Sequence, residues 1–219
     1  MNYSLLLYFR PNKQTKMKTI ITNSLIHSYT YKEYRDLVAQ YALEGKTSGN
    51  IQTPDYINYT KLNEARMHRL DKTLQITEQT GDFLAQLNGD FIWIVIAETW
   101  CGDAAQVTPV IHKMAEASTH IELRIVLRDE QEELMNLFLT NGTKSIPKLI
   151  IIDKNTFEVI ADFGPRPAGA KQLIVDYKAA HGVVDETAKI ELQKWYLNNK
   201  GVEIQNEIIA LLENATAKV

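Results

Sequence analysis

The run Phe91-Ile92-Trp93-Ile94-Val95-Ile96-Ala97 is apolar throughout, with no polar residue alternating. A strand that reads this way is covered on both faces, so it belongs at the centre of a sheet with helices packed on it. That excludes an all-helical bundle and a sheet with one wet face. The pattern after it agrees. A helix is expected from about Gly102 to Ser118, with Val107, Val110, Ile111, Met114 and Ala115 inward, and then the strand IELRIVLR at 121–128, which completes a βαβ unit. A helix over 130–140 closes at Asn141-Gly142. The strand 148–153 turns at Asp153-Lys154-Asn155 into a strand over 157–163, and a helix over 168–180 follows Gly164-Pro165. The expected class is α/β, a central mixed sheet in the order β-α-β-α-β-β-α.

Helical additions flank this core. Thr30 with Glu33 forms a capping-box pattern ahead of the stripe Tyr34, Leu37, Val38, Tyr41, and Gly45 is the stop. Residues 56–78 repeat the helical pattern with Leu62, Ala65, Arg69, Leu70 and Leu74, and a short piece around Phe83, Leu84 and Leu87 follows. At the other end a single helical tail from Glu186 to Glu213 carries Leu192, Trp195, Tyr196, Ile204, Ile208 and Leu212. The chain therefore divides into 1–16, a leader set aside as the product of an upstream start codon because Met17 opens a more ordinary beginning; 17–88, a helical extension; 89–182, the core; and 183–219, a C-terminal helical extension. At 219 residues this is one core domain with additions.

Charge and cysteine usage narrow the partners. Lys and Arg number 24 against 27 Asp and Glu, a balance of −3, which calls for neither nucleic acid nor an anionic membrane. The longest apolar runs, Leu5 to Phe9 and Phe91 to Ala97, are far too short for a spanning helix. A lone cysteine cannot close an internal disulfide, so a reducing, cytoplasmic location is expected. His27, His68, His112, His120 and His181 are scattered and show no metal-ligand spacing, so neither a metal nor a cofactor is expected. Nothing in the pattern fixes an oligomeric state.

The chemistry concentrates in Ala97-Glu98-Thr99-Trp100-Cys101-Gly102-Asp103-Ala104, where the central strand meets its helix. A cysteine at a helix N-terminus faces unpaired backbone N–H groups and the positive end of the dipole, which favour thiolate. An activated Cys101 is the expectation, inert burial the alternative. Trp100 either shields the sulfur or packs at an edge. Asp103, in the first helical turn, is expected to cap the helix, and its charge would oppose thiolate formation. Glu98 is expected on a solvated rim and His112 on the surface. Lys61, Arg66, Arg69 and Lys72 give one helix a basic side, which is expected to be solvated, with docking of an anionic ligand or of the carboxylates of Glu64 and Asp71 as the alternative. Arg166, stiffly presented by Gly164-Pro165-Arg166-Pro167, is a candidate anion contact.

Trp100-Cys101-Gly102 between strand and helix, with Ser145-Ile146-Pro147 opening a later strand, resembles the thioredoxin family over about residues 89–182. The stretches WCGDAAQ, RDEQEELM and LTNGTKSIPKLI are similar to a group of uncharacterised bacterial thioredoxin-like proteins. The resemblance implies a thioredoxin-like fold, a cis peptide bond at Ile146-Pro147, and a substrate-binding surface of Trp100, Gly102, Asp103, Ile146 and Pro147 around Cys101. It also exposes two departures. The family's second, resolving cysteine is replaced by Ala104, and its buried acid, six residues before the first cysteine, by Val95. Thiol chemistry here would be monothiol: Cys101 forms a mixed disulfide and an external thiol resolves it. Its partners would be protein or low-molecular-weight thiols and disulfides. A redox-inactive peptide-binding module and a cysteine redox sensor are the alternatives.

Overall fold

The computed structural model describes residues 12–216. Four helices come first: α1 (Lys13–Ile26), α2 (Tyr31–Glu44), α3 (Pro54–Thr73) and α4 (Glu78–Ala85). The core follows as β1 (Phe91–Ala97), α5 (Gly102–Glu116), β2 (Ile121–Leu127), α6 (Glu132–Leu137), β3 (Lys148–Asp153), β4 (Val159–Phe163) and α7 (Ala168–His181). Two more helices, α8 (Glu186–Asn199) and α9 (Val202–Thr216), end the described chain. The expected order β-α-β-α-β-β-α is thus observed.

The strands lie in the order β2-β1-β3-β4. β1 runs parallel to β2, with Val95 opposite Ile125, and antiparallel to β3, with Val95 opposite Leu149; β3 and β4 are antiparallel. All seven residues of β1 are buried, which is why that run lacks alternation. α5 buries most of its residues, packing on β2 and beneath α3 and α9. The N-terminal extension is pinned to the sheet edge. The backbone groups of Tyr29 and Ile125 exchange hydrogen bonds of 2.8 Å in both directions, giving the outer side of β2 partners it would otherwise lack. The capping box of α2 is formed, and Gly45 closes it in the left-handed conformation.

Several boundaries differ from expectation. α1 starts at Lys13, capped by the Asn12 side chain accepting from Thr15 N–H at 2.7 Å, so the division at 16/17 cuts a helix; residues 1–11 of the expected leader lie outside the described residues. The tail is two helices. Lys200 and Gly201 both take left-handed φ, and a Cβ on Gly201 would stand 2.7 Å from Val110 Cγ2, so only glycine lets this break press against α5. β4 begins two residues late because Asp153 Oδ1 accepts the Asn155 and Thr156 N–H groups, tightening the turn, and Phe157 leaves it at positive φ. Among the described residues no helix is long and apolar enough to cross a membrane.

Candidate functional site

Cys101 is the N-cap of α5: its Sγ accepts from Ala104 N–H at 3.5 Å and its S–H donates to the Ile146 carbonyl at 3.4 Å. The Ile146–Pro147 and Gly164–Pro165 peptide bonds are cis. Gly164 has φ +117°, and a side chain there would strike the Pro147 carbonyl, so glycine allows the loop before α7 to lie against the loop before β3. That approach delivers Arg166 to the site. Its Nη2 and Nε stand 2.7 and 2.8 Å from Asp103 Oδ2, while the Tyr196 hydroxyl, from α8, donates to Asp103 Oδ1 at 2.9 Å. Arg166 is therefore a partner of Asp103 rather than an anion contact, and Asp103 ties the start of α5 to the C-terminal extension rather than capping the helix.

The activated thiolate expected at Cys101 is not what this arrangement produces. Burial first, and the charge of Asp103 second, push the thiol up to about 12; the Ala104 and Asp103 N–H groups and Arg166 pull the other way and lose. The residue is 8% exposed. A helix terminus favours an anion modestly, whereas desolvating a charged sulfur costs several times more. In the free protein Cys101 is a thiol.

Other neighbours also depart from expectation. Glu98 is fully buried, not on a rim. Its Oε2 accepts from Ser48 Oγ and its Oε1 from the Asp129 N–H at 2.9 Å; burial holds its carboxyl above the usual range. Trp100 stacks on Tyr56 with centroids 4.6 Å apart, and the Arg128 guanidinium lies 4.9 Å over its ring. His112 is not simply surface: it stacks on Tyr31 at 3.7 Å and reaches Glu116 at 3.3 Å. On the basic side of α3, Lys61 and Lys72 are exposed as expected, but Arg66 turns inward, donating to Asn63 Oδ1 at 2.8 Å. Its Nη1 would lie 3.5 Å from a Cβ on Gly102.

These side chains meet in a cleft of about 810 Å³ whose floor is Trp100, Cys101, Gly102 and Asp103. α3 forms one wall and α8 the other, and Gln106 of α5 donates to Gln193 of α8 at 2.8 Å across the base. Sequence reasoning placed the floor and missed the α8 wall. Leu62, Ile190 and Leu197, large apolar residues left about half exposed, all line the cleft, a feature visible only once the fold brings α3 and α8 together.

The thioredoxin family model matches residues 49–181 of the 219. A Streptomyces coelicolor protein named "Putative thioredoxin 2" is 32% identical over 101 residues, covering 46% of this chain and 72% of that protein. The chain belongs to the thioredoxin family. In structure it is similar to a Pseudomonas aeruginosa protein of unknown function, with a TM-score of 0.51 at 16% identity, covering 85% of this chain and 99% of the other. An HIV epitope-scaffold crystal structure aligns similarly, with a TM-score of 0.52, 17% identity and coverage of 85% and 99%. These two likenesses concern the thioredoxin-like fold alone. The family match begins earlier than the 89–182 read from the motifs: it takes in α3, one wall of the cleft, and stops before α8, the other.

Proposed function

We propose that the protein is a monothiol member of its family, exchanging thiols and disulfides through Cys101 in a reducing cytoplasm. The observation that carries this reading is the position of the sulfur: on the floor of an open cleft, opposite the Ile146 carbonyl and at the start of α5. Ala104, whose N–H reaches that sulfur, stands where a resolving thiol would be, and Val95 supplies no acid beneath it. In the exchange, Cys101 gives its proton to solvent and attacks one sulfur of a disulfide. The S–S bond breaks, a thiolate leaves and takes up a proton, and a mixed disulfide remains. A second, external thiol then attacks that bond, restores the Cys101 thiol and departs in the new disulfide. Burial keeps the first step slow in the free protein.

The pH dependence of mixed-disulfide formation with hydroxyethyl disulfide, followed by intact mass, tests the reading. One adduct per chain is expected, reversible with dithiothreitol. Its rate should rise about tenfold per pH unit and not level below about pH 10, because thiolate stays scarce until then. Folded protein that forms no adduct even at about pH 10 overturns the reading.

A further inference from the structure

The cleft has a charge pattern that exchange at Cys101 alone does not explain. Five cationic side chains line it, and three are matched: Arg166 with Asp103 at 2.7 Å, Lys189 with Glu186 at 2.6 Å, Lys194 with Glu191 at 2.8 Å. Arg66 and Arg69 are different. Among the described residues neither has a carboxylate within ion-pair distance, although both line the cleft one helical turn apart on α3. Arg66 is half-buried, and Asp103, the acid nearest to it in effect, is already closed off by Arg166 and Tyr196. Both guanidinium groups line one opening, and a guanidinium's planar fork of N–H donors matches a carboxylate. The rest of the lining is largely apolar: Tyr56 stacked on Trp100, with Leu62, Ile190 and Leu197 half exposed. The volume is that of a small-molecule site.

We propose that this cleft seats a low-molecular-weight thiol or disulfide bearing a carboxylate: the anion on Arg66 and Arg69, the apolar body between Trp100 and Ile190, the sulfur at Cys101. The proposal rests on the exchange reading and adds its substrate class. Of these residues, Ile190 lies on α8, beyond the stretch that the family model matches.

Two aryl disulfides separate the terms: dithiobis(nitrobenzoate), which carries two carboxylates, and dithiodipyridine, which is neutral. Rates of Cys101 modification at about pH 8 are divided by each reagent's rate with a free small thiol. The carboxylated reagent should show saturation and a higher normalised rate. Arg66→Gln with Arg69→Gln should lower that rate about tenfold or more, the worth of one charge-assisted hydrogen bond, and leave the neutral reagent within about twofold. The unchanged neutral reaction also shows that the variant is folded. Equal losses with both reagents, or no loss with either, overturn the anion seat while leaving exchange standing. If neither reagent modifies Cys101, the exchange reading fails. Calorimetric binding of nitrobenzoate to Cys101→Ser, abolished by the double arginine substitution, would then still support the seat, and absence of binding would overturn it.

Discussion

Glu98 and Asp103 flank Cys101, and both are carboxyl groups drawn into the interior, yet they are held in opposite ways. Asp103 is compensated: Arg166 meets its charge and Tyr196 adds a hydrogen bond, both from the C-terminal side of the chain. Among the described residues Glu98 has no cation in hydrogen-bond contact, and it rests on neutral donors, Ser48 Oγ from the N-terminal extension and the Asp129 N–H. The loop around Cys101 is thus tied down from both ends of the sequence. The compensated acid lies beside the sulfur and opposes thiolate. The uncompensated one resists becoming charged at all.

Breaking the compensated tie should have the largest effect. Arg166→Ala strands a carboxylate whose side chain is only 11% exposed, and Arg166 itself is 30% exposed, so the loss should fall somewhat below that of a fully buried pair, at about 2–3 kcal/mol. The urea midpoint would show it, and an unchanged midpoint would mean the pair contributes nothing net. Removing the charge from the other side should act on chemistry. Asp103→Asn takes away the second cause of the raised Cys101 pKa and releases Arg166 toward the sulfur. Disulfide exchange at about pH 8 should therefore quicken by about tenfold, the equivalent of one pKa unit. A slower variant would show that Asp103 assists Cys101 instead of restraining it.

These contrasts also mark what the sequence could reveal. β1, α5 and the Cys101 N-cap were legible because each is written locally, in an unbroken apolar run, a 3.6-residue period and a strand-to-helix turn. The ionisation of Cys101 was misjudged because it depends on what covers the sulfur, and α3 and α8 come from distant parts of the chain. Glu98 was misplaced for the same reason: its partner Ser48 lies fifty residues earlier. Arg66 looked like one of four solvated cations, yet it is half-buried and donates to Asn63 Oδ1. The break at Lys200-Gly201 was locally signalled by the glycine, but the surrounding apolar spacing outweighed it. What decided these cases was tertiary packing, which no window of sequence contains.

The smallest effect concerns the uncompensated tie, and it has a definite sign. The carboxyl of Glu98 holds its proton more tightly when folded than when unfolded, because burial penalises the charged form. Such a group contributes its stability in full below the unfolded-state pKa, and that contribution is lost as pH rises through the folded-state value. Glu98→Gln removes the titration while keeping the shape. The amide oxygen can still accept from the Asp129 N–H, and its NH₂ can donate to Ser48 Oγ, which already accepts from the Thr99 N–H at 2.9 Å. Wild type and variant should therefore have nearly equal urea midpoints at about pH 4. The variant should gain relative to wild type as pH rises toward neutrality, by no more than about 1 kcal/mol, the net worth of one hydrogen bond. A gap between wild type and Glu98→Gln that stays constant, or that opens in favour of wild type as pH rises, would place a cation's influence on Glu98 and erase its difference from Asp103.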